Sequence, residues 1–280
     1  MPARRGKNLR SGDWNEDLGL LLLKAVAAVA PVPRQEDFGL DAVATLLHDK
    51  GDKFVYAEEA FYVQLKSDSC GPVVYTGQQI QWLRQLQLPL FIGIVSKTGS
   101  SLSLYPAHKL NVLLSPRKFE EAKVHLDEGH LSASDKKVNI YLGPPLLKYN
   151  IKKASDPTYL AKAYTILKAY LIAEHRNLTF RPLVFWRSIE WRTNQLPKLE
   201  IGHFTFVSRD TKPELNRIVD SLLPGFHALA CYAKMLNSRS VVEALASLTE
   251  ELRMAGSDHD QFSIFEDELI APEPQLKPLF

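Results

Sequence analysis

The sequence predicts a mixed α/β fold, a sheet flanked by helices, followed by a mainly helical C-terminal region. Three observations carry this expectation. Helical apolar spacing over 14–29 gives way to short strand-like runs between 42 and 105, with one short helical segment between them. The run Leu90-Phe91-Ile92-Gly93-Ile94-Val95 is continuously apolar, as in a strand covered on both faces. Beyond residue 150 the helical period returns, most clearly at Tyr159, Leu160, Ala163, Ile166, Leu167, Tyr170 and Leu171.

Each element has a local reason. Residues 1–12, with Arg4, Arg5, Lys7 and Arg10, read as a disordered basic arm. Asp13 is placed to cap a helix bearing Trp14, Leu18, Leu21, Leu22, Ala25 and Val29, which Pro31 and Pro33 stop. Asp37-Phe38-Gly39-Leu40-Asp41 is a turn that enters a strand at 42–47. The polar stretch 48–53, centred on Gly51, is a hairpin connection, and 54–66 is the next strand, ended by Gly71-Pro72. Thr76 is placed to cap a helix through Ile80, Leu83 and Leu86, followed by strands at 90–95 and 101–105.

Val138–Leu142 is a further strand, closed by Gly143-Pro144-Pro145. A helix at 156–176 precedes two extended pieces, 183–191 and 199–207. Pro213 opens a helix that Pro224 interrupts, and 226–236 and 240–254 are helical, with Gly256 as a C-cap. The organisation expected is a catalytic-type core at 13–125, an accessory or oligomerisation region at 126–256, and a flexible acidic tail at 257–280.

Composition narrows the class. The chain has 280 residues, 45% hydrophobic, with a formal net charge of +2, enough for a substantial core. No apolar run reaches the roughly 18 residues that cross a bilayer. The basic start is not followed by the apolar segment of a secretory leader, so a cytoplasmic location is expected. Cys70 and Cys231 are too few and too far apart for a disulfide framework or a zinc site. Charge is unevenly spread: residues 105–170 carry 11 Lys or Arg against 6 Asp or Glu, and 257–280 carry six acids against Lys277. A basic middle either tracks a phosphate backbone or is a solvated face.

The chemistry concentrates in Tyr62-Val63-Gln64-Leu65-Lys66. Strand alternation puts Tyr62, Gln64 and Lys66 on one face and Phe61, Val63 and Leu65 on the other. A lysine two residues past a polar oxygen donor, closing an otherwise apolar strand, is unusual, because lysine is rarely buried without a partner. Asp41 opens the preceding strand, so pairing of the two strands brings Asp41 toward Gln64 and Lys66.

This combination resembles the PD-(D/E)XK nuclease superfamily, in its Gln-x-Lys branch of Mrr-like restriction enzymes and phage-defence-associated bacterial proteins. The matching residues are Asp37-Phe38-Gly39-Leu40-Asp41 and Phe61-Tyr62-Val63-Gln64-Leu65-Lys66-Ser67, with Trp82 and Leu88–Ile92 as the following helix and strand. Asn15-Glu16-Asp17 is similar to the acidic position that these nucleases carry on their first helix. The resemblance spans roughly residues 10–110. It implies a restriction-endonuclease-like sheet and a Mg²⁺- or Mn²⁺-dependent DNA endonuclease.

In that reading Asp41 is the main metal ligand, helped by the Gln64 side-chain carbonyl, the Leu65 backbone carbonyl and Glu16, directly or through water. Lys66 either activates the attacking water or stabilises charge on the phosphoryl group, with Asp41 as its carboxylate neighbour. Glutamine in place of the usual acid removes one negative charge from the site, to be compensated by Glu16 or Asp37. The resemblance also implies DNA as partner, a homodimer or larger assembly, and a helicase, ATPase or sensor from the same defence system. A module that keeps the fold but only binds nucleic acid or a protein is the alternative.

One further pattern stands apart. Trp186 and Trp191 interleave with Arg181, Arg187 and Arg192, which suits either base stacking with phosphate contacts or a half-buried strand with a basic edge. The eight histidines show no ligand spacing.

Overall fold

The first helix, α1 (Lys7–Leu23), ends where the backbone turns back at 24–26, and Ala27–Pro31 leaves as an edge strand, β1. Both contrast with the sequence expectation of a basic arm to residue 12 and a helix to Val29. Alanine tolerates either conformation, and the choice is made by the antiparallel ladder to β2 (Ala42–Asp49), in register Ala27↔Leu46 to Pro31↔Ala42. Pro31, without an N–H, sits acceptably at the sheet edge. In this computed structural model the described residues are 7–33, 39–49, 51, 53–114, 118–181, 186–204, 211–236 and 238–254. The turn residues Asp37 and Phe38 and the acidic tail at 257–280 lie outside them.

Two compact units divide the chain, 1–205 and 206–280. Position 125/126 therefore falls inside the first unit, and among the described residues of 126–256 helices predominate, with five strands as well. The first unit is α/β. Its main sheet has six strands in the order β1-β2-β3-β5-β6-β10, where β3 is Val55–Ser67, β5 Leu90–Ser96, β6 Ser101–Pro106 and β10 Leu147–Asn150. Strands β2 and β3 pair antiparallel as far as Asp49↔Val55, and between them Gly51 takes φ 77° and donates its N–H to Asp49. The crossover from β3 to β5 is parallel, in register Gln64↔Ile92 and Lys66↔Ile94, and carries the short strand β4 (Val73–Thr76) and helix α2 (Gln78–Gln85). Thr76 ends β4 rather than capping α2, whose N-cap is Gly77.

A second sheet, β4-β7-β9-β8, adds β7 (Glu121–His125), β8 (Ser132–Ala133) and β9 (Lys137–Tyr141). Short helix α3 (Ile151–Ala154) precedes α4 (Pro157–Phe180), which Asp156 caps by accepting the Thr158 N–H, with Pro157 in the first turn. Strands β11 (Arg187–Glu190) and β12 (Lys198–Phe204) form a small separate pair. In the second unit, α5 (Thr211–Met235) runs through Pro224 without a break and is followed by α6 (Arg239–Met254). Phe226 and Val241 pack on buried Ala230 and Leu245. No helix of the described residues is long and apolar enough to cross a membrane.

Strand alternation sorts the main sheet into two cores. Phe61, Val63 and Leu65 join Phe91, Val95, α1 and α4 on one face. Gly19 of α1 and Gly93 of β5 make this close: a Cβ at either would lie within 2.8 Å of a Leu65 methyl. Tyr62, Ile92 and Ile94 face the other core, built with α2, β4, β7 and β9. Gln64 and Lys66 belong to that second face.

Candidate functional site

At the mouth of the second face the β2–β3 ladder stops at Ala42↔Val63, with the Asp41 N–H still donating to the Val63 carbonyl at 3.0 Å. One step further, the Leu65 N–H donates to Asp41 Oδ2 at 2.5 Å, so a side chain continues what the backbone pairing began. In a strand the N–H and C=O of one residue point to the same side, so the Leu65 carbonyl is also on Asp41's side. Gly39, at φ 104°, occupies a positive-φ region that glycine adopts without strain.

Asp41, Gln64 and Lys66 line one pocket of about 680 Å³, together with Gly39 and the α2 residues Gln78, Gln79, Gln81, Trp82 and Gln85. The spatial convergence expected of Asp41, Gln64 and Lys66 is present. Glu16 is not among the lining residues; it belongs to α1, which packs against the opposite, Leu65-bearing face of the sheet.

The contacts inside the pocket differ from the expected ones in two respects, at Lys66 and at Gln64. Lys66 makes no ion pair with Asp41 and has no carboxylate at ion-pair distance among the described residues. The half-buried Lys66 side chain instead lines both the Asp41 pocket and an adjoining space of about 270 Å³ shared with Cys70, Val73 and Tyr75. Burial pushes the Cys70 thiol up, while the nearby Lys66 charge acts in the opposite direction.

Gln64 is buried at 6% exposure, and its Oε1 accepts the Tyr75 hydroxyl at 2.6 Å. Tyr75 is buried too. That burial, and secondarily the negative charge of Asp41, push its phenol far above the usual range, so it stays a neutral hydrogen-bond partner. Gln64 Nε2 faces Gly39, 3.7 Å from where a Cβ would lie. Because a phenol both donates and accepts, a half-turn of the amide leaves Nε2 donating to Tyr75 and turns Oε1 toward the pocket. Sequence reasoning missed Tyr75, whose place depends on β4. It also missed the four glutamines of α2, although Gln78-Gln79-Ile80-Gln81-Trp82-Leu83-Arg84-Gln85 is a legible amide-rich helix.

A second polar cluster is buried but closed. His108 Nδ1 lies 2.7 Å from Glu174, and His108 Nε2 accepts the Ile189 N–H at 3.3 Å, so both ring nitrogens are engaged. Asn177 bridges Glu174 to the Arg187 backbone in both directions. Arg181 is bound to Asn111 and to the Leu83 and Leu86 carbonyls at the end of α2, which speaks against phosphate contact by this residue, one of the two readings its pattern allows. Burial pushes the Glu174 carboxyl up, but His108, Asn177 and Arg181 outweigh it and hold the pKa below the usual value.

Compared with family models, curated proteins and solved structures, the chain matches none.

Proposed function

We propose that the Asp41 pocket is the active site of a metal-dependent endonuclease that hydrolyses phosphodiester bonds in DNA. The observation that carries this reading is the pairing of opposites across one pocket: a carboxylate held by a backbone N–H, and the ammonium of half-buried Lys66, with no carboxylate at ion-pair distance among the described residues. Such an ammonium is suited to an anion brought from outside, and a phosphodiester is the anion whose hydrolysis also uses a carboxylate-held cation.

The donor set fits a hard ion. Asp41, the Gln64 amide oxygen and the Leu65 carbonyl are all oxygens, and among the described residues no group of three or more His, Cys, Asp or Glu can hold a metal. A Mg²⁺ or Mn²⁺ ion held there would have one carboxylate, supplemented by waters and substrate phosphate. When bound, the ion supplies Lewis acidity and an acidified water.

The chain's own residues do the rest. The Leu65 N–H fixes which Asp41 oxygen faces inward, and Tyr75 holds the plane of the Gln64 amide in either rotamer. Lys66 stabilises the charge that grows on the phosphoryl oxygens, or orients the attacking water. The glutamines of α2 offer neutral hydrogen bonds to phosphate and sugar oxygens. Double-strand cutting calls for two such sites, and hence a homodimer or larger assembly. A place in an anti-phage system, beside a helicase, ATPase or sensor, follows from the sequence resemblance.

The experiment is cleavage of plasmid by the purified full chain with Mg²⁺ or Mn²⁺, with the products of neighbouring genes added. Supercoiled DNA should be nicked or linearised, and Lys66→Ala should slow this by about 10²–10³. Equal cleavage by Lys66→Ala, or none by wild type in the completed mixture, overturns the reading. The orientation of Gln64 Oε1 toward Tyr75 favours one rival, a module that binds nucleic acid or a protein without chemistry. Calorimetry separates them: DNA binding together with Mg²⁺ affinity unchanged by Asp41→Asn supports the rival.

A further inference from the structure

The first unit carries a second cleft, of about 530 Å³, built from other elements. Lys109 enters it from the 3₁₀ segment His108–Leu114, Trp191 and Arg192 from the end of β11, and Lys198 from β12. None of the three cations forms an ion pair among the described residues. Among the described residues Glu190 is the one carboxylate lining the cleft, which leaves a surplus of two positive charges there. Although the Lys109 side chain is exposed as a whole, burial around its ammonium pulls its pKa down, against the attraction of Glu128. The ammonium stands 6.0 Å above the Trp191 ring.

Part of the lining is apolar. Trp191 is pinned by donating its indole N–H to the Pro144 carbonyl at 2.7 Å and by edge contacts with His108 and Tyr170. Leu196, on the same cleft, is left 58% exposed. Converging unpaired cations ask for more than one negative charge, which phosphate supplies. The exposed leucine beside a fixed indole asks for a flat organic body. The volume lies within the range of about 300–1,000 Å³ usual for small-ligand sites. We infer that this cleft binds a nucleoside phosphate, its phosphates held by Lys109, Arg192 and Lys198 and its base set against Leu196 and Trp191. This does not depend on the activity proposed for the Asp41 pocket.

The test is calorimetry of the full chain with ATP, inorganic triphosphate, adenosine and a single-stranded deoxyoligonucleotide as separate arms, without divalent metal. ATP should bind one per chain, more tightly than triphosphate or adenosine. Lys109→Met and Arg192→Gln, shown folded by circular dichroism, should each weaken it about tenfold or more. Lys66→Ala should bind ATP as wild type does, so failure of the nuclease reading leaves this result standing. Absence of ATP binding, unchanged affinity in both cleft variants, or triphosphate as tight as ATP overturns the assignment. Oligonucleotide binding that ATP does not displace, with the same loss in Lys109→Met, overturns it in favour of a strand-binding groove.

Discussion

The Leu65 backbone N–H donates to the carboxylate of Asp41, a residue 24 positions earlier in the chain. This bond makes Asp41 both a structural and a chemical residue, and two substitutions separate the roles. Asp41→Asn keeps an oxygen that accepts the N–H and removes the charge. Asp41→Ala leaves the donor unpaired in a partly buried position, at a cost of about 1–3 kcal/mol. Urea denaturation should therefore show a loss for Asp41→Ala that Asn largely restores, while DNA cleavage is abolished in both. Equal destabilisation by Asn and Ala would remove the bond from the account.

Tyr75 touches Gln64 and holds its amide, so its effect should be on metal binding. Tyr75→Phe removes one buried hydrogen bond, worth about 1 kcal/mol of stability. It should also weaken Mg²⁺ affinity about tenfold, as loss of a ligand-orienting partner does. Gln64→Glu should act in the opposite direction, since the new carboxylate still accepts from Tyr75 and adds a second negative charge. Calorimetric Mg²⁺ titration of the two variants checks both signs.

Acid stability should depend on Glu58. Its partial burial pushes the carboxyl up, but hydrogen bonds from Tyr164 at 2.7 Å, Lys168 at 2.9 Å and His48 at 3.1 Å prevail and hold its pKa at about 2. A carboxyl depressed from 4.5 contributes stability that is present in full above pH 4.5 and is lost as the pH falls toward 2. Glu58→Gln should lower stability at pH 7 and flatten the decline between those limits. A melting-temperature series from pH 7 to pH 2 reads this directly; parallel curves for the two proteins would contradict it.

The buried cluster around Glu174 should be costly to break and irrelevant to catalysis. Glu174→Ala leaves His108 and Asn177 without their acceptor and Arg181 without its nearby countercharge, a loss of about 3–5 kcal/mol. Glu174→Gln keeps an acceptor and should lose less. Where the variants remain folded, cleavage per folded molecule should match wild type.

Much of the first unit was legible locally. The six-residue apolar run at β5, the Asp156-Pro157 start of α4 and the Gly51 hairpin each express preferences that act over a few residues. Misreadings fell where local preference is weak or overruled. The alanines of β1 read as helix until an edge pairing claimed them. Pro224 suggested a break, yet it lies inside α5. The short strand β4 has too few residues to announce itself, and Tyr75 was invisible with it.

By itself the sequence determined that Gln64 and Lys66 share a strand face and that Phe61, Val63 and Leu65 share the other, because side-chain alternation is a property of the extended backbone. It also placed Asp41 at a strand entry. Only the tertiary structure decided that Asp41 is held by the Leu65 N–H instead of by Lys66, that Gln64 rests on Tyr75, and that Glu16 belongs to a helix on the far face. Those outcomes depend on register and packing between residues distant in the chain, where a shift of one position turns every side chain to the other face.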